Sequence, residues 1–266
     1  MDALSLGASD YVCKPANVGS VAAAMERVRA ELVPRIKSLC RPVEKLAFPP
    51  MARTVVKGVP TGNVAVVAIG ASTGGPKALA AVLGSLPGDL AVPVVITQHM
   101  PPVFTGFLAE RLDGSSPLTV REAVSGDLLE PGHTYIAPGD HHLVLRRAAR
   151  GLVAEVNQAP AENWCRPSVD VMFRSLAEVV GGDVLAVMLT GMGHDGREGT
   201  ALLKERGAHV IAQDRDTSVV WGMPGAITTA GLVDEVVHLD AIGRTIAHHV
   251  ENSCPPPAFA RAGAVR

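Results

Sequence analysis

Six consecutive apolar residues, Val64-Ala65-Val66-Val67-Ala68-Ile69, run into Gly70 and are followed by a helical pattern over 78–86. A strand without polar alternation has no face to offer water, so it belongs inside a sheet covered on both sides. The motif recurs. Val92-Pro93-Val94-Val95-Ile96-Thr97 precedes a helical stretch over 104–112, and Val184-Leu185-Ala186-Val187-Met188-Leu189 precedes a loop and a helix around 200–205. Strands alternating with helices predict an α/β fold with a doubly wound, mostly parallel, Rossmann-like sheet. His209-Val210-Ile211 and Val233-Asp234-Glu235-Val236 are shorter strand candidates. The middle breaks the rhythm. His133-Thr134-Tyr135-Ile136 and Leu143-Val144-Leu145 flank the turn sequence Ala137-Pro138-Gly139-Asp140, which predicts an antiparallel hairpin across it.

Upstream lie a short strand-like stretch over 10–13 and a helix with Val21, Met25, Val28 and Leu32 on one face. Pro34 is expected to limit or kink that helix. Residues 41–62 contain Pro42, Pro49, Pro50, Gly58, Pro60 and Gly62, the composition of a linker. The expected organisation is an N-terminal piece over 1–40, a linker over 41–62, a main domain over 63–250 and a flexible tail over 251–266.

With 47% hydrophobic and 19% charged residues, a chain of 266 can bury a full core without staples. A net charge of −2 and 3% aromatics argue against a nucleic-acid partner. The four cysteines, at 13, 40, 165 and 254, match no zinc spacing and read as reduced thiols. No apolar run approaches the about 18 residues that span a bilayer, and no signal peptide is visible. Stable membrane insertion is therefore not expected, and the chain reads as cytoplasmic.

Three segments at strand ends carry candidate chemistry. Gly70-Ala71-Ser72-Thr73-Gly74-Gly75-Pro76 joins a strand to a helix, and Gly70-x-Ser72-x-Gly74 has the spacing of a nucleophile elbow. Two other readings stay open here. Ser72 or Thr73 can cap the helix, or the glycines can cradle a phosphate. Gln98-His99 ends the second strand, twenty-seven residues after Ser72, and puts a candidate base at the same carboxyl edge if the strands are neighbours. Thr190-Gly191-Met192-Gly193-His194-Asp195-Gly196 follows the third. There Asp195 can orient an imidazole, or it can form a capping box with Glu198. The loop's backbone N–H groups are candidates for holding an oxyanion.

Weaker candidates surround these. His141 and His142 are adjacent and predicted to face opposite ways, so they chelate poorly together. Asp140 with His141 is better read as a turn. Arg166, before Pro167-Ser168-Val169-Asp170, can hold a carboxylate, although Ser168 or Asp170 starting a helix is the stronger reading. Trp221-Gly222-Met223-Pro224 reads as a packed loop.

Taken together, six ordered runs resemble the catalytic domain of chemotaxis protein-glutamate methylesterases, the CheB family. They are Ile69–Gly75 as quoted, Thr97-Gln98-His99-Met100-Pro101-Pro102, Tyr135-Ile136-Ala137-Pro138-Gly139-Asp140, Arg166-Pro167-Ser168-Val169-Asp170, Leu189–Gly193 with Asp195-Gly196, and Gly222-Met223-Pro224. The resemblance implies Ser72 as nucleophile, His99 as base and Asp195 as orienting acid. It implies a methylated chemoreceptor as substrate, methanol as product and glutamine deamidation as a related activity, with no cofactor and no metal. The backbone N–H groups of Thr73 and Met192 are the nominated oxyanion donors. Gly7-Ala8-Ser9-Asp10-Tyr11-Val12-Cys13-Lys14-Pro15 resembles the end of the family's receiver domain, so 1–40 is expected to be a receiver remnant. No acid in it matches a phosphorylation site, and control by a chemotaxis kinase is not expected. Cys165 stands where the family pattern places histidine. The competing readings are an inactive receptor-docking module and a nucleotide-binding dehydrogenase, the second disfavoured by the lack of an acid after the second strand.

Overall fold

A computed structural model describes residue 12, residues 20–40 and residues 63–253. The chain divides into two compact units, 1–55 and 56–266. In the first, α1 (Val21–Leu39) starts at Ser20, whose hydroxyl accepts from the Ala23 N–H at 3.2 Å. The helix runs past Pro34 to Leu39, so the proline does not end it. Apart from Val12, which has no regular structure, the strand expected over 10–13 lies outside the described residues, as do the linker over 41–62 and the tail from 254.

The second unit contains β1 (Val66–Ala71), α2 (Gly75–Gly84), β2 (Val94–Gln98), α3 (Phe104–Asp113), β3 (Thr119–Glu122) and β4 (His133–Ile136). It continues with β5 (His142–Ala148), β6 (Gly151–Asn157), α4 (Val169–Val179), β7 (Val184–Met188) and α5 (Arg197–Glu205). The last elements are β8 (His209–Gln213), α6 (Met223–Thr229), β9 (Glu235–Val237) and α7 (Leu239–Glu251). Seven strands form one sheet in the order β3-β4-β2-β1-β7-β8-β9, and every pair in it is parallel. The apolar runs are its centre: β1, β2 and β7 are buried along their whole length.

Alternation along the strands sends side chains to two layers. Val66, Ala68, Val95, Tyr135, Val184, Ala186, Met188 and Val210 pack with Met172, Phe173 and Leu176 of α4, Leu203 of α5 and Ile227 of α6. The intervening residues, such as Val67, Ile69, Ile96 and Val187, are fully buried on the other face. There α2 lies against α3 and α7.

The antiparallel hairpin is real but displaced. His133–Ile136 does not pair with the 143–145 stretch; it is β4, parallel to both β2 and β3. The hairpin is β5 with β6, closed between Ala148 and Gly151. Its apolar side, including Leu143, Leu145, Leu152 and Ala154, completes the α4 layer of the core. The strand expected over 233–236 is shifted to Glu235–Val237. Met223 and Pro224 open α6 instead of lying in a loop.

Candidate active site

From β1 the chain moves outward in one direction to β2 and later in the other to β7, so the space beyond the ends of β1, β2 and β7 is a topological switch point. Open α/β sheets bind ligands there. The register pairs Ala71 with Gln98 and Gly70 with Met188. Ser72 and His99 are therefore the next residues on neighbouring strands, and the loop after β7 faces both.

Backbone bonds set Ser72 in place. Its N–H donates to the Thr190 carbonyl at 3.0 Å, and its carbonyl accepts from Gly75 N–H at 2.7 Å and from Gln98 Nε2 at 3.0 Å. Gln98 Nε2 also donates to the His99 carbonyl at 3.2 Å, so one buried amide ties the serine turn to the histidine. The turn closes through Gly74 at φ 80°, a backbone state that favours glycine. Gly74 is the N-cap of α2, and no side chain caps that helix. The capping reading of Ser72 and Thr73 thus fails. Ser72 is half-buried, and its Oγ has no hydrogen-bond partner among the described residues.

Facing Ser72 is Gly191. A Cβ placed on Gly191 would lie 2.9 Å from Ser72 Cβ and 2.3 Å from Met223 Sδ. The close approach of the two loops requires glycine. Thr73 is buried, and its carbonyl accepts from Thr190 Oγ1 at 3.0 Å. Met192 is half-buried beside Gly191.

His99 joins Asp195 by a 2.7 Å contact from Nε2 to Oδ2. Nδ1 lies 3.6 Å from Cys165 Sγ. With the Nε2 proton directed at the carboxylate, Nδ1 carries the lone pair. Burial works against an imidazolium here, but the Asp195 and Cys165 contacts outweigh it and push the group up to about 10. Because Asp195 and Cys165 address different ring nitrogens, which diverge, one ion cannot draw on all three without breaking the His–Asp bond.

Asp195 is 3% exposed, and burial alone would raise its carboxyl. The His99 contact, the Val169 N–H and Asn163 reverse this and hold it well below the usual carboxylate range. Its oxygens also cap a helix, though not its own. Oδ2 accepts from Val169 N–H at 2.7 Å, while Oδ1 accepts from Ser168 Oγ at 2.8 Å and Asn163 Nδ2 at 2.8 Å. Asp195 thus satisfies the start of α4, whose positive end favours a carboxylate. The expected capping box with Glu198 is absent; the N-cap of α5 is Gly196. Asp170, in the first turn of α4, accepts from Gly199 N–H at 2.6 Å in the first turn of α5. The two helices exchange acids, and Asn163 binds both carboxylates. Burial raises Asp170, and the nearby Asp195 charge adds to it.

The remaining candidates serve the scaffold. Arg166 Nε and Nη2 bind Asp140 Oδ1 at 2.9 and 2.6 Å, so the guanidinium is committed within the loop. His141 Nδ1 contacts the Gly139 carbonyl at 3.1 Å. His142 is fully buried and accepts the Ser168 N–H on Nδ1 at 3.2 Å. Asn163 had not been singled out, Ser168 had been read only as a helix start and the amide of Gln98 had been given no role. Their bonds to Asp195 and Ser72 span 26 to 32 residues, which no local pattern reveals.

A parallel sheet with a serine-bearing turn and a histidine–aspartate pair at its switch point defines the class: an α/β protein with its polar site at the carboxyl edge. The CheB methylesterase family model matches residues 67–246. A Nocardioides protein named protein-glutamate methylesterase/protein-glutamine glutaminase is 50% identical over 265 residues, covering 96% of this chain and 72% of its own. A Trichodesmium erythraeum protein of the same name is 44% identical, with 94% and 73% covered. The crystal structure of the Thermotoga maritima CheB methylesterase catalytic domain matches with a TM-score of 0.68 at 41% identity, covering 70% of this chain and 98% of that one. The chain belongs to the CheB methylesterase family.

Proposed function

We propose that this chain hydrolyses glutamate methyl esters on chemoreceptors, releasing methanol, and deamidates receptor glutamines by the same attack with ammonia leaving. The observation that carries the reading is the 2.7 Å His99–Asp195 contact at the strand end beside Ser72. Ser72 Oγ attacks the ester carbonyl as His99 Nδ1 takes its proton. His99 then protonates the departing methoxide. Water, activated by the same nitrogen, hydrolyses the glutamyl-serine ester and restores the carboxylate. Asp195 holds the ring and its charge throughout. The backbone N–H groups of Thr73 and Met192 are assigned to the oxyanion because they flank Ser72 on the two converging loops. The N-terminus of α2 adds favourable field there. In this reading 63–250 carries the chemistry, 1–40 corresponds to the end of a receiver domain and 41–62 links them.

The receptor substrate also places the enzyme in the cytoplasm. No helix among the described residues is long and apolar enough to cross a membrane. The test supplies a methylated receptor fragment and its glutamine form, with methanol and ammonia assayed separately. Methanol release supports the esterase, and release of neither product overturns the proposal.

The pH profile follows from His99. Attack needs the neutral imidazole, which the site disfavours up to about 10. The reactive fraction therefore rises with pH, about tenfold per unit below that value. We expect kcat/KM to climb throughout the neutral range, with Cys165→Ser moving the rising limb to lower pH. A flat profile from about pH 6 to 9 would contradict this assignment of the base. Gly191→Ala is expected to cut kcat at least about 100-fold, because its Cβ displaces either Ser72 or Met223. Wild-type turnover in that variant would show that the loops can separate without harm.

A further inference from the structure

A second group of ionisable side chains lies across the far end of the sheet, and nothing in the proposed chemistry uses it. His209 opens β8, Glu235 opens β9 and His249 sits in the last turn of α7. We propose that His209, Glu235 and His249 form a binding site for a divalent transition-metal ion of the zinc type.

Convergence is the first argument. Nε2 of His209 lies 2.7 Å from Glu235 Oε1, and Nε2 of His249 lies 2.6 Å from the same oxygen. The two ring centroids are 4.4 Å apart. Three ligand atoms from three separate elements thus meet at one point. This differs from the His99 cluster, where the partners sit on different ring nitrogens. A tetrahedral ion bonded at about 2.0–2.2 Å sets its ligands about 3.4 Å apart, so each imidazole nitrogen must move about 0.7 Å further from Glu235 Oε1. Side-chain rotation supplies that.

The second argument lies behind the ligands. His209 Nδ1 faces Asp234 Oδ2 at 3.7 Å. Asp234 is itself fixed by Lys204 Nζ at 2.7 and 2.8 Å and by the Val210 N–H at 2.8 Å. A carboxylate behind a histidine favours the Nδ1–H tautomer and leaves the Nε2 lone pair for a metal.

The donor set selects the ion. Two imidazole nitrogens and one carboxylate oxygen suit zinc, nickel or copper, not magnesium or calcium. The side chains are 12%, 19% and 9% exposed, which preorganises them and leaves water room to complete the shell. β9 is an edge strand of three residues, and α7 follows it directly. The ion would pin both to β8.

The experiment uses the full chain after dialysis against a chelator. Zinc binding is followed by calorimetry and by the melting temperature, and cobalt is used as a spectroscopic probe. We expect one equivalent bound with nitrogen–oxygen cobalt bands, and a melting temperature that rises until that equivalent is filled. His249→Gln and Glu235→Gln should each weaken binding at least about tenfold. Their far-ultraviolet spectra without metal should match wild type, which separates lost ligation from lost folding. If His249→Gln does not fold, Asp234→Asn and Glu235→Gln carry the comparison. No binding would overturn the proposal. So would unchanged affinity in the variants, or a thiolate-to-cobalt charge-transfer band, which would place the ion at a cysteine.

Discussion

Ser72→Ala is expected to lower kcat for receptor demethylation by about 10⁴-fold or more while leaving the melting temperature within a degree or two of wild type. The stability half of this expectation follows from how the residue is held. Its N–H, and a carbonyl accepting from Gly75 and Gln98, fix Ser72 through the backbone, which alanine keeps. Its Oγ makes no hydrogen bond among the described residues, so the change removes no structural partner. Substitutions of that kind usually stay within about 0.5 kcal/mol. The activity half follows from the loss of the hydroxyl proposed as nucleophile, at the end of β1 beside the loop that carries Asp195. Binding and oxyanion contacts would still leave a residual rate above water. Methanol release beside a thermal melt decides the matter, and a serine-reactive phosphonate should label wild type alone. Turnover near wild type would remove Ser72 from the mechanism. Cys165 requires a control because its sulfur shares His99 Nδ1. Adding Cys165→Ser to the alanine variant reveals any turnover carried by the thiol.

The central strands were readable because a parallel strand covered on both faces has to be apolar throughout. Val66–Ala71 and Val184–Met188 show this directly. Strand direction left no such trace. Pro138-Gly139-Asp140 has turn chemistry, yet β4 runs parallel to its neighbours and the chain leaves the sheet after it. The true hairpin turn carries a plainer signal, Ala149-Arg150 before Gly151 at φ 138°. Ser72, His99 and Asp195 stood out because glycine-rich loops after apolar runs mark the carboxyl edge. The structure brings His99 and Asp195 into contact and sets Ser72 on the adjoining strand end. The partners of Asp195 were another matter. Asn163 and Ser168 reach it from a loop and a helix start about thirty residues earlier, and Cys165 reaches His99 across 66 positions. Such contacts exist only once α4 has packed beside the loop after β7. Asp195 was recognisable as an acid that orients a histidine or caps a helix; that it caps α4 depends on the packing.

That double duty makes Asp195→Asn the variant with the widest effect. Oδ2 serves His99 Nε2 and Val169 N–H, while Oδ1 serves Ser168 Oγ and Asn163 Nδ2. Whichever oxygen becomes an amide nitrogen must then face donors. We expect kcat to fall about 10⁴-fold, as when a triad histidine loses its orienting acid. We also expect a loss of about 1–3 kcal/mol of stability from the unsatisfied donors at the start of α4. The pH dependence identifies the source. A depressed carboxyl contributes stability that is present above its unfolded value, 3.8, and is lost as acid protonates it. A raised imidazole contributes stability that is complete below its unfolded value, 6.5, and is lost as pH rises toward about 10. The difference in stability between wild type and Asp195→Asn should therefore be largest between about pH 4 and 6.5, shrinking on both sides. Denaturant titrations across that range measure it. A difference that does not vary with pH would make Asp195 a neutral packing residue and separate it from His99. Asn163→Ala provides the contrast. It removes one donor to Oδ1 but leaves the His99 contact on Oδ2, so it should lose stability while keeping most of kcat. If it lost kcat as heavily as Asp195→Asn, the amide of Asn163 would be setting the position of the carboxylate against the imidazole.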